Sequence, residues 1–112
     1  MTRDGWLVSK GNVLASAQHA TSHADRGRGL LGREGIEGAL VLERTRWVHT
    51  IGMRFAIDVA HLDADGKVLR IAHMPPNRIG PYVKQAARVV EAQAGAFERW
   101  GLRVDDVVEL RE

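Results

Sequence analysis

Residues Phe55 to Met74 read F-A-I-D-V-A-H-L-D-A-D-G-K-V-L-R-I-A-H-M, two apolar runs divided by Asp63-Ala64-Asp65-Gly66. An Asp-Gly ending between strand-like runs is a strong hairpin signal. Glycine takes the positive φ of a tight turn at no steric cost, and aspartate bonds to the backbone of its own turn. Phe55–Leu62 and Val68–Met74 are therefore predicted to pair antiparallel, and the rest of the chain is read outward from that pair.

The same punctuation recurs on both sides. Trp6–Ser9 and Asn12–Ala17 flank Lys10-Gly11, the spacing of a first hairpin. Ala39–Glu43, Arg88–Gln93 and Val107–Leu110 are further predicted strands, and Phe97–Trp100 is a single helical turn closed by Gly101. One segment suits a longer helix, Asp25–Leu31, capped by Thr21 or Ser22 and stopped at Gly32, although Gly27 and Gly29 weaken it. Short hairpin-linked strands bury one face each by closing on one another. The expected fold is mainly β, α+β by some counts: a small antiparallel barrel or sandwich with one notable helix. A chain of 112 residues suits a single domain spanning residues 1–112, and it contains no repeat, low-complexity tract or linker.

Composition narrows the function classes. With 45% hydrophobic and 27% charged residues the chain is globular rather than disordered. The absence of cysteine excludes disulfides, thiol nucleophiles and cysteine-bound metal clusters, and it suits a reducing compartment. Trp6-Leu7-Val8 is too brief an apolar run for a signal peptide or a membrane span, so a cytoplasmic protein without membrane contact is expected, as monomer or small homo-oligomer. Net charge is +2, which gives little reason to expect nucleic-acid binding. Lys67, Arg70, Arg78, Lys84 and Arg88 do form a local basic strip, with Tyr82 its single aromatic, but a solvated face accounts for it.

Trp47 to Asp58, W-V-H-T-I-G-M-R-F-A-I-D, is where polar groups crowd into an apolar run, and it supplies candidate ligand-binding residues Trp47, His49, Thr50, Met53 and Asp58. A turn near Met53 and Arg54 would set His49 opposite Asp58, and a carboxylate there fixes an imidazole tautomer, the skeleton of a general base. Thr50, adjacent to His49 on an extended strand, points to the other face. The competing reading makes Asp58 an acceptor for backbone N–H groups of the preceding loop and His49 a satisfied, partly buried histidine. Arg78 joins the candidates because it follows Pro75-Pro76 in a loop able to fold over a barrel mouth, where a guanidinium holds an anion. His19 and His23 have i, i+4 spacing, but that serves a metal only within one helix and no third ligand is indicated, so no metal and no cofactor is expected. Leu30-Leu31 is expected to pack the helix on the sheet, and Glu91, alternating with Val89 and Gln93, to pair with an arginine.

Several segments resemble the DUF192 family, a domain of unknown function. Arg26–Arg33, R-G-R-G-L-L-G-R, is similar to its Arg-x-x-Gly-Leu-Met-x-Arg helix end, and Ala39-Leu-Val-Leu to the strand that follows. Ile57-Asp58-Val59, Leu62-Asp63 and Asp65-Gly66-Lys67-Val68 resemble its hairpin, and Pro75-Pro76, Val90-Glu91-Ala92 with Gly95, and Trp100-Gly101-Leu102 complete the order across roughly residues 13–110. The chain departs from the family pattern at His49–Met53, where Trp-Met-x-Asn-Thr is usual, at Ala56 in place of proline, and at Asp105-Asp106 in place of Gly-Asp. The resemblance implies a mainly β fold with one helix and no established activity. The expected role is noncatalytic: binding a small polar or anionic ligand, or a protein partner, in a cleft bordered by residues 47–58 and the loop 75–82. The alternative is a hydrolase or metal-assisted enzyme using His49 and Asp58.

Overall fold

The computed structural model describes residues 2–112. The Asp63–Gly66 turn forms as its sequence predicts. Asp63 Oδ1 accepts from the N–H groups of Asp65 and Lys67, both at 2.9 Å, and Gly66 turns the chain at φ +86°. It joins β4 (Ile57–Leu62) to β5 (Val68–Met74) in antiparallel register, Asp58 opposite His73. Lys10 and Gly11, both at positive φ, turn β1 (Arg3–Ser9) into β2 (Asn12–Ala20). With β3 (Ala39–Glu43), β6 (Arg88–Gln93) and β7 (Val108–Arg111) they make one curled, half-barrel sheet in the order β5-β4-β6-β3-β2-β1-β7.

Two expectations are corrected. The sheet is not wholly antiparallel: β2 and β3 run parallel, Ala17 beside Ala39, because residues 21–38 carry the chain back across the sheet before β3 begins. And the notable helix is shorter than expected, while the expected turn at Phe97–Trp100 forms a second short helix. α1 spans His23–Arg28, with Ser22 Oγ accepting from Asp25 N–H at 3.1 Å, and it stops at Gly29 (φ +48°) rather than continuing to Leu31. α2 spans Ala96–Trp100 and ends at Gly101 in the left-handed region, as expected.

Alternation along the strands sorts the interior into two clusters, one on each face. Leu7, Val41, Leu62, Val90 and Ala92 pack with Phe97 of α2 and with Leu102. On the other face Leu40, Leu42, Ile57, Val59 and Val89 pack under Leu30, Val48, Met53 and Phe55. These last four come from segments outside the sheet, so that face is roofed by irregular chain, the setting in which clefts form.

Two polar clamps hold the frame. Asp58 is buried, with Oδ2 accepting from Gly95 N–H (3.0 Å) and Phe97 N–H (3.3 Å) and Oδ1 lying 3.5 Å from His73 Nδ1. It is thus a backbone acceptor, as one reading had it, but for the start of α2 rather than for the preceding loop. His19, on β2 and not in a helix, lies between Glu43 (2.6 Å) and Glu112 (2.8 Å). Burial pushes the Glu43 carboxyl up, but its bonds to His19 and Arg88 outweigh this and hold it below the usual carboxylate value.

Candidate functional site

The segment 46–50 does not form a hairpin with β4. It pairs instead with the loop after β5, through Thr50 N–H to Arg78 C=O (2.8 Å), Gly80 N–H to Val48 C=O (2.9 Å) and an antiparallel bridge between His49 and Ile79. A turn then redirects the chain, with Met53 N–H donating to Thr50 C=O at 3.0 Å and Gly52 at φ +82°. His49 therefore does not face Asp58, whose strand neighbours are His73 and Ala92. The proposed dyad is not assembled.

Alternation along this ribbon separates the candidates. Thr50 is fully buried, its hydroxyl donating to Pro75 C=O (2.6 Å) and accepting from Arg78 N–H (2.9 Å). Arg78 contributes its backbone to that knot, while among the described residues its exposed guanidinium bonds only to the neighbouring Asn77 carbonyl at 3.4 Å. Replacing Thr50 with valine keeps the shape and removes both hydroxyl bonds. A loss of about 2 kcal/mol is expected, read from urea unfolding together with faster amide exchange at Arg78. A loss near zero would show that the knot does not hold the ribbon.

Trp47 and His49 face the other way, exposed, with ring centroids 6.0 Å apart. His49 Nδ1 accepts from Ile51 N–H at 3.2 Å, which leaves the ring proton on Nε2. Together with Met53, Val48, Leu30 and Leu42 they line a cavity of about 240 Å³ between this ribbon and the α1–Leu31 segment. The cleft is therefore bordered by residues 26–31 and 45–53. Loop 75–82 pairs edge to edge with the ribbon, and Arg78, Thr50 and Asp58 do not line the cavity. Leu30 is buried as expected but Leu31 is exposed, beside Gly52.

Glu91, also lining the cavity, is the residue whose role sequence reasoning missed. It sits on central strand β6 with Leu40 opposite on one side and Val59 on the other, 3% exposed. The arginine pairing expected for it does not form, and no described residue donates it a hydrogen bond. Its Oε1 lies 3.9 Å from the place a Cβ would occupy at Gly29, so the backbone after α1 passes close by. Burial pushes the carboxyl up to about 7. The sequence signal was an acid inside Val89-Val90-Glu91-Ala92, an apolar run that reads as a strand covered on both faces.

The basic strip does not act as one surface. Lys67 lies 3.5 Å from Asp105 and Arg88 2.9 Å from Glu43, leaving the other members spread over the surface. Among the described residues no group of three His, Cys, Asp or Glu is placed to hold a metal, and no helix is long and apolar enough to cross a membrane.

Fold and site define a small curled-sheet domain with a cleft over an unpartnered acid. The profile of DUF192, "Uncharacterized ACR, COG1430", matches residues 6–110, and the chain belongs to that family. Two crystal structures share the fold. One, a protein of unknown function from Novosphingobium aromaticivorans, is 18% identical with a TM-score of 0.80, over 96% of this chain and 84% of that one. The other, from Sinorhizobium meliloti and suggested to be a transcription regulator, is 20% identical with a TM-score of 0.81, over 98% and 94%. No curated protein matches the chain.

Proposed function

We propose that this protein is a noncatalytic binding domain that takes a small polar molecule into the cleft between residues 26–31 and 45–53. The observation that carries this reading is Glu91: a buried carboxyl without an internal donor, opening on a cavity with mainly apolar walls and with Trp47 and His49 at its rim. A protein keeps few such groups, because a buried polar atom without a partner costs roughly 1–3 kcal/mol. A ligand that bonds to it recovers that cost. The hydroxyls nearest the cleft do not serve as nucleophiles in this reading, since Thr45 donates to Glu43 C=O (2.9 Å) and Thr50 faces away. The cysteine-free composition is in keeping with a cytoplasmic setting.

The test is titration of isotope-labelled protein with sugars, nucleotides, carboxylates, divalent metals and short RNA, followed by NMR. Shifts concentrated at Leu30, Trp47, His49 and Met53 are the expected result. A folded protein that shows none with any small ligand loses this assignment. A protein partner is the second reading, favoured by Trp47, Ile51 and Ile79, which are exposed around the same ribbon.

A further inference from the structure

Resting on that binding role, we infer that the cleft accepts a small zwitterion, its ammonium bonded to Glu91 at the floor and its anionic group bonded to Arg28 at the mouth. The charges on the cleft are ordered in depth. Glu91 lies between Leu40 and Val59 on an interior strand, where a carboxylate faces the cleft with no cation among the described residues to offset it. An ammonium supplies both a countercharge and N–H donors.

The two arginines beside the opening differ in availability. Arg26 directs Nη1 at the carbonyls of Glu43 (3.4 Å) and Arg44 (3.2 Å), which fixes it to the loop after β3. Arg28 is exposed, and none of the described residues accepts a hydrogen bond from it, although its charge is felt by Asp25 on the same helix. Gly29 follows Arg28 directly and carries no side chain to narrow the passage beside Glu91 Oε1.

The pattern disfavours the simpler ligands. A bare anion gains no countercharge from Glu91 and is repelled once that carboxyl is ionised, and a bare cation meets two guanidinium groups at the mouth. A molecule with an ammonium at one end, an apolar stem and a carboxylate at the other satisfies floor, wall and rim together. Leu30, Val48 and Met53 cover such a stem.

Three compounds of matched stem test this: δ-aminovalerate, n-pentylamine and valerate, titrated into labelled protein and measured by calorimetry. The expected order is δ-aminovalerate first, tighter than either relative by about tenfold or more, the effect of one added ion pair in a desolvated site. Glu91→Gln should lower δ-aminovalerate and n-pentylamine alike by about tenfold and leave valerate unaffected. Arg28→Gln should bring δ-aminovalerate down to the level of n-pentylamine. Thermal melts of both variants confirm that they are folded. Valerate binding as tightly as δ-aminovalerate, or indifference to Glu91→Gln, overturns the zwitterion while leaving the cleft. So does a response at Leu30 and Met53 to another member of the ligand panel with none to δ-aminovalerate. No response there to any compound removes the cleft reading and this one together.

Discussion

Replacing Asp58 with alanine is expected to destabilise the protein by about 3–4 kcal/mol, from two lost charge-assisted hydrogen bonds and the bare donors they leave. The carboxylate holds the N–H groups of Gly95 and Phe97 at 3.0 and 3.3 Å, and so fixes the start of α2 against β4. Phe97, 2% exposed, is seated in the core by that same short helix. Without the carboxylate the buried Phe97 N–H has no acceptor, and α2, only five residues long, cannot hold its place on propensity alone. Asparagine keeps one acceptor oxygen and should cost about 1–2 kcal/mol. Urea midpoints at constant slope measure both changes. An alanine variant within about 1 kcal/mol of the parent would refute the anchoring role.

Glu91→Gln is expected to act in the opposite direction, and only above acid pH. Burial raises the folded-state value of this carboxyl from 4.5 to about 7, so the folded protein holds the proton more tightly than the unfolded chain does. Its contribution to stability is therefore full below 4.5 and is lost progressively as the pH rises through 7. The whole span amounts to about 3 kcal/mol. Glutamine, which carries no proton to lose, should match the parent at about pH 4, overtake it through neutrality and lead by about 3 kcal/mol at about pH 9. Unfolding free energies across that range decide it. Parallel curves for the two proteins would show that Glu91 reaches solvent or a donor in the folded state.

Much of the frame was legible in the sequence. Asp63–Gly66 and Lys10-Gly11 announce their turns because local chemistry alone dictates them, and Ala39–Glu43, Val68–Met74 and Arg88–Gln93 keep their predicted bounds. β2 runs three residues beyond the expected Ala17, through Gln18 and His19 to Ala20. They are held in the sheet by β3 and by carboxylates at Glu43 and Glu112, which are remote in sequence. The parallel β2–β3 pair was hidden for the same reason, since side-chain pattern does not encode strand direction. At the site, Trp47, His49 and Met53 come together at one cleft. Asp58 and Thr50 meet the same criterion of polarity within apolar surroundings, and Arg78 that of a cation on a loop able to reach a barrel mouth, yet all three fasten the scaffold. Local sequence marks a buried polar group but not whether a backbone donor waits for it. For Asp58 one does; for Glu91, none among the described residues does.

The sheet order also bears on vectorial synthesis. β1 has β2 on one side and β7 on the other, with Trp6 opposite Arg111. As the chain emerges from the ribosome, the first hairpin is made early, while β7, which covers its outer edge, follows β3, β4, β5 and β6 in the chain. Through most of translation that edge presents unpaired N–H and C=O groups to any extended chain nearby. The brief, charged strand Val108–Arg111 can dock only long after the first hairpin has been made, and until it does the β1 edge is open to pairing with another copy of the same hairpin.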